Sequence, residues 1–377
     1  MDLDLIVVGG GPVGASLARA ARGLAVALVA TERRVPREAP YEGFDARVYA
    51  LSPGNVRFLD GLGAMPLAQA TPVHAMRVHG DDGSRIEFDA YRAGVPELAW
   101  IVEDRLLQDA LWRGLEAEVG APEAITVKDR DVVLGLADGR QLSARLIAGA
   151  DGARSFVREH AGIRCSDKAY GQSAVVANFA CERAHANTAY QWFQCGPVLA
   201  LLPLRASHVS MVWSLPAADA ERISALAPEA LCREVEAATR GVLGQFSLVT
   251  APRSYPLRRL SARRLVAPRI ALVGDAGHVI HPLAGQGLNL GLQDARALAE
   301  VLAQRGALLR DPGDLRLLRR YERSRAEPIL AMDTMVDGLY TLFGTHNRLA
   351  GRLRNAGLNL TDRIPVLKNL LIRQALH

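Results

Sequence analysis

Lysine is nearly missing from this chain: Lys128, Lys168 and Lys368 are the only three among 45 basic residues. The pI near 9.2 therefore rests on arginine. Those arginines are dispersed and no nucleic-acid recognition module accompanies them, which sets aside a nucleic-acid partner. Cysteine is equally sparse. Cys165, Cys181, Cys195 and Cys232 form no CxxC pair and have no histidine at metal-ligand spacing, which excludes a disulfide framework and a structural zinc site. They read as reduced, mostly buried thiols of a cytosolic protein. No apolar run approaches the roughly 20 residues needed to span a bilayer, and "MDLDLIVVGGG" is acidic and already strand-like, unlike a signal peptide. The expected location is the cytoplasm, with membrane contact limited to peripheral attachment at the inner face of the plasma membrane.

What is there is the composition of an ordinary globular protein. With 377 residues, 49% apolar and 23% charged, the chain can build one large or two modest domains. "DLIVVGGGPVGASLARAARG" reads as a buried strand, a glycine turn and a helix ending near Gly23; "LAVALVATER" follows as a second buried strand. This is half of a doubly wound nucleotide-binding unit. Residues 54–69 and 103–119 carry helical patterns, the second through Leu106, Leu107, Ala110, Leu111 and Leu115. Residues 73–90 and 172–215 alternate in short strand-like runs, "RIALVGD" is a single returning strand, and the pattern from about 290 onwards is helical. The fold class expected is α/β: a Rossmann-like domain with an inserted antiparallel β-sheet and C-terminal helices. The boundaries expected are 1–72, 98–165 and 264–335 for the nucleotide-binding domain, 73–97 and 166–263 for the substrate-binding sheet, and 336–377 for a C-terminal helical segment. With no repeat or low-complexity linker, the parts should form one rigid body with a cleft between them.

Three motifs carry chemistry. Gly9-x-Gly11-x-x-Gly14 follows a strand and opens a helix. The first glycine permits a tight turn, the second lets backbone approach a pyrophosphate, and the third allows close helix packing, while the helix N-terminus offers free amides. Glu32, at the end of the next strand, can accept from an adenosine ribose and disfavours a 2'-phosphate there. In "LIAGADGARSFVRE" (146–159) a strand ends at Gly149, Asp151-Gly152 makes a turn, and Ser155 can cap a helix carrying Arg158; alone this is as readily an ordinary strand-to-helix turn. In "GDAGHVIHPLAGQGLNLGLQD" (274–294) Asp275 closes a strand at the carboxyl edge of the sheet, where open α/β sheets bind ligands.

Together the three motifs resemble, in order and position, those of the class A flavoprotein monooxygenases, the aromatic-ring hydroxylases related to para-hydroxybenzoate hydroxylase. More narrowly, "DARVYALSPGNVRFLDGLG" (45–63), "GPVLALLPL" (196–204), "HPLAGQGLNLGLQD" (281–294) and "IPVLKNLLIRQAL" (364–376) look like segments of the ubiquinone-biosynthesis hydroxylases. The chain departs from many of these in having Asp275 and Gly277 where they carry Asn and Ala, and in ending at "QALH".

The resemblance implies FAD as bound cofactor and NADPH or NADH as a transient co-substrate without a domain of its own. It implies that reduced flavin and O2 form a C4a-hydroperoxyflavin, which hydroxylates the ring of a polyprenylated phenol. Asp275 would bond the ribityl chain, Arg47, Arg105 and Asp151 would contact the cofactor, and Gly285, Gly287, Leu288 and Asn289, with Gln286, would set helix amides against the flavin carbonyl edge. Pro282 would wall the reactive flavin position. His281 reads either as a proton relay or as a packed, hydrogen-bonded residue. Trp192, Phe193, Leu201, Pro203 and Trp213 are available to line the substrate cleft, or else belong to the core of the sheet. The C-terminal run, with Arg348, Arg352, Arg354, Arg363, Lys368 and Arg373, suits either an anionic membrane surface or a solvated helix face. Other members of a ubiquinone-biosynthesis complex are the expected protein partners. The competing readings are a hydroxylase of a soluble aromatic compound and an FAD-holding scaffold that does not turn over.

Overall fold

The computed structural model describes residues 3–37, 41–80, 84–194, 196–280, 286–304 and 311–344. Strand Leu3–Val8 is buried on both faces, as an apolar run without alternation demands of a central parallel strand. It pairs in parallel with Val26–Ala30 on one side and with Gln141–Gly149 on the other, and Ile270–Leu272 adds a further parallel strand beyond. Antiparallel strands Val132–Leu136 and Pro122–Val127 extend this eight-stranded sheet from Gln141–Gly149. Helices Pro12–Ala20 and Gly287–Ala303 cover one face, with Leu17, Leu298 and Tyr321 in the core beneath them.

A nine-stranded, largely antiparallel sheet stands beside the first. It takes Ala75–His79 and Arg85–Asp89 from the early chain and Cys165–Cys181, Thr188–Phe193, Val198–Leu204, His208–Pro216 and Arg253–Ala262 from the middle, the interleaving expected of an inserted sheet. Helices Ala217–Ser224 and Pro228–Ala238 cover one of its faces. A three-stranded sheet of Val48–Leu51, Ala99–Glu103 and Thr71–Val73 lies between the two.

Two expectations need correction. The helix expected over 103–119 is Asp104–Trp112, because Gly114 leaves the helical region with φ +72° and Glu118–Val119 then joins the first sheet as an edge strand. The helix expected over 54–69 is Pro53–Gly61, capped by Ser52 and followed by Gly63 at φ +66°, with a separate 3-10 turn at Leu67–Gln69. Helix Leu315–Gly344 runs unbroken across position 336. The basic C-terminal run lies outside the described residues.

Candidate active site

The glycine turn is shaped by what surrounds it. Gly9 has φ +115°, and a Cβ there would lie 2.3 Å from the Ala150 carbonyl oxygen; one on Gly14 would lie 1.9 Å from the Gly9 oxygen. A Cβ on Gly11, in contrast, would meet nothing within 4 Å, and Gly11 faces a cavity. Helix Pro12–Ala20 starts at Gly11 without a side-chain cap, which leaves the amides of its first turn to an outside acceptor. Trp112 braces the turn from below, donating Nε1 to the Gly10 carbonyl at 3.0 Å. Glu32 is exposed just past the second strand.

The second motif supports this turn more than it enters the cavity. Asp151 receives Ser155 Oγ at 2.5 Å and the Val157 amide at 3.1 Å. Its carboxylate is thereby committed to its own helix, and its neighbours Ala150 and Gly152 line the cavity. Arg158 donates to the carbonyls of Ala153 and Ala276, both at 2.9 Å, which joins the second motif to the third.

In the third motif Gly274 adopts φ +60° and starts the 3-10 turn Gly274–Ala276. Asp275 is exposed by surface area where it opens to the cavity, while the protein packed around it still desolvates its carboxyl. Burial raises its pKa, against the opposing pull of His278 and Arg47 and with the help of Asp294. Helix Gly287–Ala303 begins at Gln286, again without a side-chain cap, and Gln286, Gly287 and Leu288 line the cavity. Gly291 lets this helix sit close to the first, since a Cβ there would lie 2.7 Å from the Val13 side chain. His281, Pro282 and Gly285 lie outside the described residues.

Asn289, Arg105 and the sheet residues make contacts elsewhere in the protein, and of the two readings for the tryptophans the structure shows the core one. The Asn289 side chain turns away from the cavity, accepting from the Ser52 amide at 2.8 Å and Asn55 Nδ2 at 2.9 Å and donating to the Ala50 carbonyl at 2.7 Å. Arg105 pairs with Glu103, donates to the Gly43 carbonyl and stacks on Tyr41, and it lines a smaller hollow of about 340 Å³ with Phe44, Asp45 and Arg253. Trp192, Leu201 and Trp213 lie in the core against helices Ala217–Ser224 and Pro228–Ala238, Phe193 packs with Val78 and Val198, and Pro203 is buried outside the cavity lining. Strand side chains alternate between faces, and the helices took the tryptophan face. The cavity is lined instead by Ala174, Val176, Ala200, Leu202, Ser210 and Val212. Arg47 does line it; burial opposes its charge, but its neighbours, the carboxylates Asp104 and Asp275 among them, outweigh that and raise its pKa.

Sequence reasoning missed the scaffold under the third motif. Asp294, fully buried, binds the Gly274 amide, His278 and Arg325. A lone acid within the apolar pattern "LNLGLQDARAL" was its only signal.

The cavity, about 690 Å³, runs from Gly11 and Gly152 past Arg47, Asp275 and Gly287 to the inner face of the nine-stranded sheet. An open backbone at Gly11, two helix N-termini without side-chain caps and one acceptor at Asp275 suit an elongated ligand with a diphosphate, a polyol and a polar-edged ring, which FAD is. Arg47 and Asp275 are the only charged members of the described cavity lining, and the residues that the nine-stranded sheet contributes to it are neutral.

Residues 2–333 match a family model described as an FAD binding domain. The chain is 36% identical over 383 residues to the ubiquinone hydroxylase UbiL of Rhodospirillum rubrum, covering 99% of this chain and 89% of that one. It is 33% identical over 385 residues to the 3-demethoxyubiquinol 3-hydroxylase of Escherichia coli, covering 99% and 98%. The solved structure of HpxO from Klebsiella pneumoniae, complexed with FAD and uric acid, superposes with a TM-score of 0.76 at 19% identity, covering 99% of this chain and 97% of that one. At that identity the likeness is one of fold.

Proposed function

The chain belongs to the FAD-binding-domain family, among its ubiquinone-biosynthesis hydroxylases, and on that premise we propose that it hydroxylates the aromatic ring of a neutral, polyprenylated phenol. It is an FAD-dependent monooxygenase, with NAD(P)H and O2 as co-substrates. Bound FAD supplies the redox chemistry and the activation of oxygen.

The protein's own part is holding and shielding. First-turn amides of helix Pro12–Ala20 would hold the pyrophosphate and Glu32 the ribose. Asp275 would accept from the ribityl hydroxyls, with Arg47 beside it as counter-charge. Gln286, Gly287 and Leu288 would set the positive end of helix Gly287–Ala303 against the carbonyl edge of the ring, worth about 0.3–2 kcal/mol toward its anionic reduced form. Arg105 and Asp151 would act by shaping the loops around the site, and Asn289 by anchoring its helix.

The observation that carries the substrate reading is the neutral lining at the sheet end. A soluble aromatic acid would need a counter-charge there, since an unpaired carboxylate is costly to bury. A phenol with an apolar tail needs none. The deciding experiment is quinone-intermediate analysis in a deletion strain: an under-hydroxylated prenylphenol should accumulate, and normal quinone would overturn the reading.

The same reading places substrate delivery at a membrane surface. No described helix is long and apolar enough to cross a membrane, and Leu330 and Met335 are exposed on helix Leu315–Gly344, which supports peripheral contact. Co-sedimentation with anionic vesicles tests it. Pull-down of other ubiquinone-biosynthesis enzymes tests membership of a complex.

A further inference from the structure

Strand His208–Pro216 turns Val209, Met211 and Trp213 to the core and Ser210, Val212 and Ser214 to the cavity. Ser210 is fully buried and its hydroxyl has no hydrogen-bond partner. Directly across the ladder stands Asn178, also fully buried; it donates Nδ2 to the Asp45 carbonyl at 2.7 Å and leaves Oδ1 unpartnered. Folded proteins leave few buried polar atoms unpaired, and each one asks for an explanation. Here two stand as cross-strand neighbours, and Ser210 belongs to a cavity wall that also holds Val176, Ala200, Leu202, Val212, Gln191 and Ser214. The tie from Asn178 to Asp45 also fixes their place, next to Ala46 and Arg47 at the cofactor end of the cavity.

We propose that Ser210 is a specificity-determining residue whose hydroxyl hydrogen-bonds the phenolic oxygen of the substrate, with Asn178 Oδ1 as the neighbouring acceptor. This rests on the reading of the cavity as the site for a prenylated phenol. An unpaired hydroxyl in a largely apolar wall orients a ring without selecting a charge, and a substrate that lacks the oxygen leaves a buried group unpaired. Fixing that oxygen also fixes which ring carbon faces the cofactor.

The test compares the FAD-loaded full chain and its variants with two probes, 2-prenylphenol and prenylbenzene, through the change each causes in the absorbance of bound flavin. Wild type should prefer the phenol about tenfold, the ratio expected of one buried hydrogen bond. Ser210→Ala and Ser210→Val should lose most of that preference by weakening phenol binding alone, while Ser210→Thr, the shape match of the valine variant, keeps it. FAD content and thermal midpoint show that each variant is folded. A wild type without the preference, or alanine and valine variants that retain it, overturns the role of Ser210 while leaving the cavity reading intact, because both probes still bind. A wild type that binds neither probe overturns both.

Discussion

Asp294 holds Gly274 by its backbone: the buried carboxylate accepts the Gly274 amide at 2.9 Å, from twenty positions further along the chain. His278 Nε2 at 2.6 Å and Arg325 Nε at 2.7 Å complete its shell. The residue that opens to the cavity, Asp275, is therefore presented by a turn whose neighbour is anchored to two helices. Burial works against charge on Asp294, but His278 and Arg325 outweigh it and hold the carboxyl below the ordinary aspartate value. Asp294→Ala should cost about 3–5 kcal/mol, because it strands Arg325 without a counter-charge. Denaturant midpoints measure the loss, and FAD content should fall with it. A depressed folded pKa contributes stability that is complete above the unfolded value near 3.8 and is lost as pH falls through the lower folded value. Wild type should accordingly lose stability in that acid range, and Asp294→Ala should lack that component.

Asp275 carries the opposite sign. Its pKa is raised, first by burial, so its contribution favours the fold below the unfolded value and is lost as pH rises through the folded one. Above that raised value the apo protein bears an unfavourable carboxylate. Asp275→Asn should raise the apo thermal midpoint while weakening FAD binding about tenfold, the loss of one charged acceptor. Such an exchange of stability against function is what a binding residue entails. A variant that binds FAD normally would remove Asp275 from the cofactor site.

Gly11 and Gly14 should separate fold from function within one motif. An alanine at Gly14 would drive its Cβ against the backbone oxygen of Gly9, which no side-chain rotation relieves, at a cost of about 1–3 kcal/mol. Gly11 has φ −68° and ψ 176° and open space ahead of it, so Gly11→Ala should change stability by less than about 0.5 kcal/mol. Its methyl would occupy the space the pyrophosphate needs. Thermal midpoints of the apo proteins and FAD titrations distinguish the two. Tight FAD binding by Gly11→Ala would place the phosphates elsewhere.

These glycines were fully legible in the sequence, because each answers to local geometry: a positive φ, a close approach, an open face. The doubly wound strands were legible for a similar reason, since a strand buried on both faces must be continuously apolar. What the sequence did not disclose depends on partners far along the chain. The Asn289 side chain is spent on Ser52 and Asn55, 237 and 234 positions away, and no spacing rule reveals such a pairing. The helix end after Trp112 had a visible signal in Gly114, but Leu115 continued the apolar period and masked it. The alternation through Val209 to Leu215 was plain, yet only the packing of helices Ala217–Ser224 and Pro228–Ala238 decides which face is core.

That decision yields a sharp test on adjacent residues of strand Val198–Leu204. Leu201 is fully buried in the core behind the sheet, whereas Ala200 lines the cavity on the opposite face. Leu201→Ala should destabilise the protein by about 2–5 kcal/mol through lost burial and the void it leaves. It removes nothing that a substrate touches, so under folding conditions coupling of NAD(P)H oxidation to product should stay near that of wild type. Ala200→Phe should do the reverse. Its ring would project into the cavity rather than the core, so stability should hold within about 1 kcal/mol while hydroxylation fails and FAD remains bound. Unfolding midpoints together with product formed per NAD(P)H consumed distinguish the two variants. If Ala200→Phe turned over normally, the inner face of this sheet would not be where the ring sits, and the catalytic end of the cavity would have to be sought between Arg47 and Asp275 alone.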